Sequence, residues 1–167
     1  FSSAASDVYK RQVSNGSLTM CGLSDFRDTL KAHHTVVTLC RYPPKFIDSD
    51  KHERYHYYFR AKNSSPEIWA HAVELVMGLL DAGEDVLLHC VHGRDRTGGV
   101  AYCILRMFGY DVGQTVTKMM VARPSMVKEW STILHENKDL YDKIGYELHH
   151  NMIHEEKNKN NTERNDI

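Results

Sequence analysis

His89-Cys90-Val91-His92-Gly93-Arg94-Asp95-Arg96-Thr97-Gly98 is the stretch on which the reading of this chain turns. A cysteine and an arginine stand at the two ends of a short loop, with a glycine inside it and a hydroxyl just after. Val86-Leu87-Leu88 precede it as a brief apolar run. Val100, Ala101, Ile104, Leu105 and Phe108 then recur at helical spacing, closing near Gly109. The predicted order is strand, tight loop, helix N-terminus.

Such an order suits a thiolate that attacks a phosphate monoester. A helix N-terminus and a nearby guanidinium both favour the thiolate of Cys90, which is the nucleophilic form. Successive backbone N–H groups turned inward make a nest for phosphoryl oxygens. Gly93 lets the backbone fold that tightly. Arg96 would come round to face the same anion, and its planar fork can bind two oxygens at once. Thr97 is placed to donate a hydrogen bond to the sulfur, and His89 to support the loop from below. Val91, His92, Gly93, Arg94, Asp95 and Arg96 are the candidate substrate-binding residues.

Outward from the loop, strands alternate with helices. Leu18-Thr19-Met20 reads as a short strand, and Asp25 to Lys31 as a helix capped by Ser24. Thr35 to Cys40 reads as a buried strand and Arg54 to Arg60 as another, with a polar loop around Pro43-Pro44 and Asp48-Ser49-Asp50. Ser64-Ser65-Pro66-Glu67 starts a helix, either as a capping box from Ser64 or with Ser65 as cap before Pro66. Ile68, Trp69, Ala72, Val73, Leu75, Val76, Leu79 and Leu80 recur at helical spacing after it, and Gly83 can end the helix. Val112 to Val121 and Ser125 to about Gly145 read as further helices, the latter carrying Trp130 on its apolar side. The expected fold is α/β, a central, mostly parallel sheet flanked by helices.

Composition bounds the function. At 167 residues one domain is expected, over 13–146, followed by a polar, disordered tail over 147–167. Residues 1–12, which include Asp7-Val8-Tyr9-Lys10-Arg11-Gln12, read as a non-native segment of the sequencing-adapter type. A formal net charge of -1 argues against broad electrostatic capture of nucleic acid or membrane, so anion binding must be local. No apolar run is long enough to span a bilayer. Four scattered cysteines, Cys21, Cys40, Cys90 and Cys103, with no CxxC pair, lead us to expect a reduced, cytoplasmic protein without structural zinc. His33-His34, His149-His150 and His154 lack an evident third ligand, and no metal or cofactor is expected.

At His89, Cys90, Gly93, Arg96 and Thr97 the chain resembles the cysteine-dependent protein tyrosine phosphatase superfamily. It is most similar to the small dual-specificity branch that includes the phosphatase-and-tensin type. The looser resemblance runs from about Met20 to Tyr146 and includes the pair Arg123-Pro124. It implies the dual-specificity phosphatase fold and a two-step, metal-free hydrolysis of phosphomonoesters through a phosphocysteine. It also implies phosphorylated protein side chains as substrate, with phosphoinositides or inositol polyphosphates second. RNA 5′-triphosphates come third, since phosphatases of the mRNA-capping type lack the usual acid and carry a histidine at the place of His92. A non-catalytic phosphate-binding module is the rival from another class.

One departure from the family pattern stands out. A general-acid aspartate is usual on the loop before the helix that precedes the cysteine strand. Here that loop reads Phe59-Arg60-Ala61-Lys62-Asn63-Ser64-Ser65-Pro66, without an aspartate. Acid catalysis is typically worth about 10²–10⁴-fold. Asp95 is the candidate replacement, as relatives of the myotubularin kind carry an aspartate at the matching place; the plainer reading is that it braces the loop or pairs with a cation. Asp48, Asp50 and Glu53 are weaker candidates. Arg94 adds charge at the mouth, suiting substrates with several phosphates, or is simply a solvated arginine. By the same resemblance Cys40 could form a reversible disulfide with Cys90, or be a buried structural thiol; Cys21 and Cys103 read as packing residues.

Overall fold

The computed structural model describes residues 16–45 and 50–165. The segment 1–12 and Asp48 lie outside the described residues. Four strands, β1 (Ser17–Cys21), β2 (Thr35–Thr38), β3 (Glu53–His56) and β4 (Asp85–His89), form one sheet in the order β1-β4-β2-β3. Every pairing is parallel, so the expected mostly parallel sheet is wholly parallel among these strands. The register sets Cys21 and Thr38 beside His89, and His56 beside Thr38. All four strand ends therefore reach one edge together, where the connecting loops of such sheets gather ligands.

Helices cover both faces. Beneath one lies α1 (Leu23–Leu30), whose Phe26 and Leu30 pack on Cys21, Val36 and Leu87. Over the other lie α2 (Pro66–Asp81), α3 (Asp95–Met107), α4 (Val112–Ala122), α5 (Val127–Glu136) and α6 (Lys138–Asn165). Val37, Val86 and Leu88 point into that larger core with Trp69, Val73, Ile104, Trp130 and Ile144. Successive residues of the buried strands thus feed opposite faces.

The helix ends show which local signals hold. Ser65 caps α2, its hydroxyl accepting from the Ile68 N–H at 3.4 Å, while the Ser64 hydroxyl donates to the Arg60 carbonyl at 2.7 Å. This settles the choice that spacing left open. Asp111 and Gln114 close a reciprocal capping box at the start of α4. Gly83 and Gly109 take left-handed backbone just past α2 and α3.

Four expectations are corrected. The first helix begins at Leu23 with Gly22 as its cap, not at Asp25 after Ser24, because the Leu23 N–H is drawn to the Val91 carbonyl at 2.8 Å. β2 and β3 stop at Thr38 and His56, shorter than their apolar runs; Phe59 turns inward to pack on Trp69 at 4.7 Å. The helix expected over 125–145 is a 3₁₀ turn (Pro124–Met126) followed by α5 and α6, which are parted at Asn137. Finally, α6 runs to Asn165, where the composition predicts a disordered tail from residue 147. Tyr141, Ile144 and Leu148 seat it in the core, Asn151 donates to Glu74 at 2.7 Å, and no proline follows. The residues from Met152 to Thr162 are nonetheless exposed, as their polarity suggested.

Candidate active site

The loop between β4 and α3 begins at a buried histidine. His89 is wholly buried, with its ring against Phe26 at 4.5 Å. Its Nδ1 lies 3.2 Å from the Cys90 carbonyl and its Nε2 2.7 Å from the Thr38 hydroxyl. A carbonyl can only accept, so Nδ1 carries the proton and Nε2 accepts from Thr38. Burial pushes the imidazole down from 6.5 to about 4, against the opposing pull of the Cys90 carbonyl, with Arg54 and His56 lowering it further. His89 is therefore a neutral, buried imidazole tied to the first carbonyl of the loop.

That burial predicts a pH effect. Unfolded histidine takes its proton near 6.5, whereas folded His89 resists protonation until about 4. The unfolded chain therefore binds more protons within this window, and stability is full above it and falls as pH drops through it. The loss is on the order of 3 kcal/mol. His89→Asn should flatten the fall of unfolding free energy between pH 6.5 and 4 relative to the parent. Identical slopes would assign the effect elsewhere.

The loop's carbonyls account for its shape. Cys90 O accepts from His89 Nδ1 at 3.2 Å, and Val91 O from the Leu23 N–H at 2.8 Å. Gly93 O accepts from Arg123 Nη1 at 2.7 Å. Arg94 O accepts from Trp130 Nε1 at 3.2 Å and from the Gly98 N–H at 3.0 Å. In a trans peptide unit the N–H points opposite to the C=O. Each tie therefore turns an amide, that of Val91, His92, Arg94 or Asp95, to the other side. Among the described residues none accepts a backbone hydrogen bond from these amides. A free-amide nest opening onto the first turn of α3 is an anion cradle.

Gly93 is required twice over. Its φ of 65° lies in the left-handed region. A Cβ there would press on Arg123 Nη1 and on the Cys21 carbonyl. Gly93→Ala should cost at least about 1–2 kcal/mol from the backbone alone and weaken phosphate binding through the displaced loop. Urea unfolding together with phosphate titration checks both effects.

Cys90 begins the cradle and is buried, at 3% exposed. Arg96 is half-buried, and its Nη1 donates to the carbonyls of Leu39 at 3.2 Å and Phe59 at 3.0 Å. Those carbonyls belong to the loops after β2 and β3, so three connections converge on one guanidinium. Among the described residues its Nε and Nη2 have no hydrogen-bond partner, and such a pair of donors can meet an anion. Thr97 Oγ1 is buried and has no hydrogen-bond partner among the described residues. The expected bond to sulfur is thus not made, although an unused hydroxyl stands in the first turn of α3. Val91 and His92 are exposed at the rim.

Asp95 opens α3, and its carboxylate pairs with Arg94 Nη2 at 3.2 Å and Nε at 3.3 Å. The same side chain lines a cavity of about 350 Å³ with Ala61, Lys62, Trp69 and Tyr141. Asp95 and the loop position that lacks the usual acid therefore border one space. Cys40 is buried and reduced, its thiol donating to the Tyr42 carbonyl at 3.5 Å. Burial pushes that thiol up, while the charge of Arg96 pulls it down. Cys21 and Cys103 are raised to about 12, chiefly by burial, as suits packing residues. Asp50 and Glu53 lie on the far side of β3's start, Glu53 facing His34 at 4.0 Å. The reading of the sequence missed Arg123 and Trp130 as supports of the loop. Only the tertiary fold brings them to it, and Trp130 had been read for its apolar body alone.

No curated protein sequence matches the chain significantly. Among solved structures it is similar to the active form of Tk-PTP, at 17% identity over 79% of this chain and 92% of that one, with a TM-score of 0.57. It is similar to human DUSP28, at 13% identity over 82% and 94% of the two chains, again with a TM-score of 0.57. The core catalytic domain of the S. cerevisiae PP-IP phosphatase SIW14 matches at 18% identity over 75% and 90%, with a TM-score of 0.50. These likenesses establish a shared α/β fold. Residues 31–154, which hold the cradle, Arg96 and the bracing Arg123 together, match the model of the tyrosine phosphatase family, and the chain belongs to that family.

Proposed function

We propose that the protein hydrolyses phosphomonoesters in two steps through Cys90, acting on phosphorylated protein side chains. The observation that carries this reading is the cradle itself: outward-tied carbonyls, inward amides, Cys90 at its start and Arg96 behind it. A thiolate electron pair attacks phosphorus, and the bond to the leaving oxygen breaks. The amides and Arg96 hold the charge on the equatorial oxygens. Asp95 gives the leaving oxygen its proton and takes one back from the attacking water. Water then displaces sulfur, releasing inorganic phosphate and restoring the thiolate. His89, neutral and buried, keeps the Cys90 carbonyl turned away. The family description favours a protein substrate.

A second reading, a phosphoinositide or inositol phosphate as substrate, draws on the rim. Arg41, Arg60 and Lys62 are exposed on the loops after β2 and β3, beside the cradle, in a chain whose net charge is only -1. The named activity of SIW14 points the same way. The test is a phosphate-release panel of phosphotyrosine and phosphothreonine peptides, phosphoinositides, inositol polyphosphates and a triphosphorylated RNA. Release from the peptides supports the first reading. Release from the multiply phosphorylated inositols alone supports the second. No release from any, with the fold intact, leaves a phosphate-binding module.

A further inference from the structure

We infer that Arg123 is a positioning residue for the reaction, holding the Gly93–Arg94 peptide in the one orientation that presents an N–H to phosphate. The inference rests on the cradle reading above and deepens it. Of the other carbonyl ties in the loop, four come from His89 at the end of β4, Leu23 at the start of α1, Gly98 in α3 and Trp130 in α5. The tie to Gly93 comes from Arg123, the residue that ends α4.

The peptide after Gly93 is the one most in need of such a hold. Glycine reaches left- and right-handed backbone with similar ease, so this unit can rotate at little local cost. Turned over, it would aim its carbonyl dipole into the cradle, where the phosphoryl oxygens lie, and withdraw the Arg94 N–H. A charge-assisted bond of 2.7 Å from Arg123 Nη1 opposes that rotation. The guanidinium occupies the very space that a Gly93 side chain would need, against the Cys21 carbonyl at the end of β1.

Arg123 is itself held on both sides. Its N–H donates to the Met119 carbonyl at 3.0 Å as α4 ends, and its carbonyl accepts from the Met126 N–H at 3.0 Å in the 3₁₀ turn. Pro124 follows it and stops α4 from continuing. The arginine is half-buried, so its charge is only partly screened by water. It touches no reacting atom and acts solely through the backbone of the loop.

The test uses the whole chain carrying Cys90→Ser, with inorganic phosphate titrated calorimetrically. Arg123→Met keeps the stem and removes the donor; Arg123→Lys restores a charged donor. Phosphate should bind about tenfold or more weakly to the Met variant, and to the Lys variant nearly as tightly as to the parent. In chains that keep Cys90, kcat on an aryl phosphate should fall in the same order. If the Met variant does not fold, Arg123→Gln, too short to reach Gly93, takes its place with the same expectation. Unchanged phosphate affinity in the Met or Gln variant, with only a lowered melting temperature, would overturn the inference and leave Arg123 a structural residue. Failure of the parent to bind phosphate would instead overturn the cradle, and the proposed function with it.

Discussion

Replacing Cys90 with serine is expected to end phosphate release while leaving phosphate binding measurable. The serine hydroxyl fills nearly the same space but is scarcely ionised near neutral pH, so the nucleophile is lost. The parts proposed to hold the anion survive: the amides opposite the tied carbonyls, and Arg96 fixed on Leu39 and Phe59. Turnover should fall on the order of 10⁴-fold or more, as when other nucleophiles are removed from intact binding sites. Release of inorganic phosphate from an aryl phosphate, followed beside calorimetric titration of phosphate, separates the two effects. Turnover within about tenfold of the parent would mean that Cys90 is not the nucleophile.

The second large effect is expected at Asp95. An alkoxide is a poor leaving group and needs a proton, whereas a nitrophenoxide departs with little help. Asp95→Asn should therefore slow alkyl phosphates by about 10²–10⁴-fold and activated aryl phosphates much less. Two observations frame this result. The carboxylate shares its cavity with Ala61 and Lys62, on the loop where the family's usual acid is missing. It also pairs with Arg94 at 3.2 Å. If alkyl and aryl substrates slow equally, the pairing is its whole role, and Asp95 braces the loop mouth. The comparison needs matched substrates that differ only in the leaving group, measured as kcat/KM.

The cradle was legible because its parts are sequential. An apolar strand, a glycine at the turn and a helix start within thirteen residues are local signals, and local signals survive into the fold. The parallel sheet was legible for the same reason, since Val36, Val37, Val86, Leu87 and Leu88 announce strands buried on both faces. The supports of the loop were not legible. The Arg123 side chain meets Gly93 across 30 positions, and Trp130 meets Arg94 across 36. No periodicity encodes such meetings; they follow from how α4 and α5 pack on α3. Strand ends failed similarly. Tyr57 and Phe59 have the composition of a strand, yet Phe59 gains more by turning onto Trp69 than by extending an exposed edge. The polarity of 147–167 predicts disorder, whereas a helix anchored by Tyr141, Ile144 and Leu148 can project polar turns into water. The roles proposed for Cys90 and Arg96 rest on chemistry and resemblance together, and the carbonyl ties describe their physical setting.

The central claim is that phosphorus passes through one sulfur atom, and trapping that covalent state tests it most directly. Acid-quenching the chain during turnover of an aryl phosphate, then mapping the modified peptide by mass spectrometry, should place a single phosphoryl group on Cys90. A phosphoryl group on His92 or another side chain, or turnover without any covalent species at Cys90, would contradict the account.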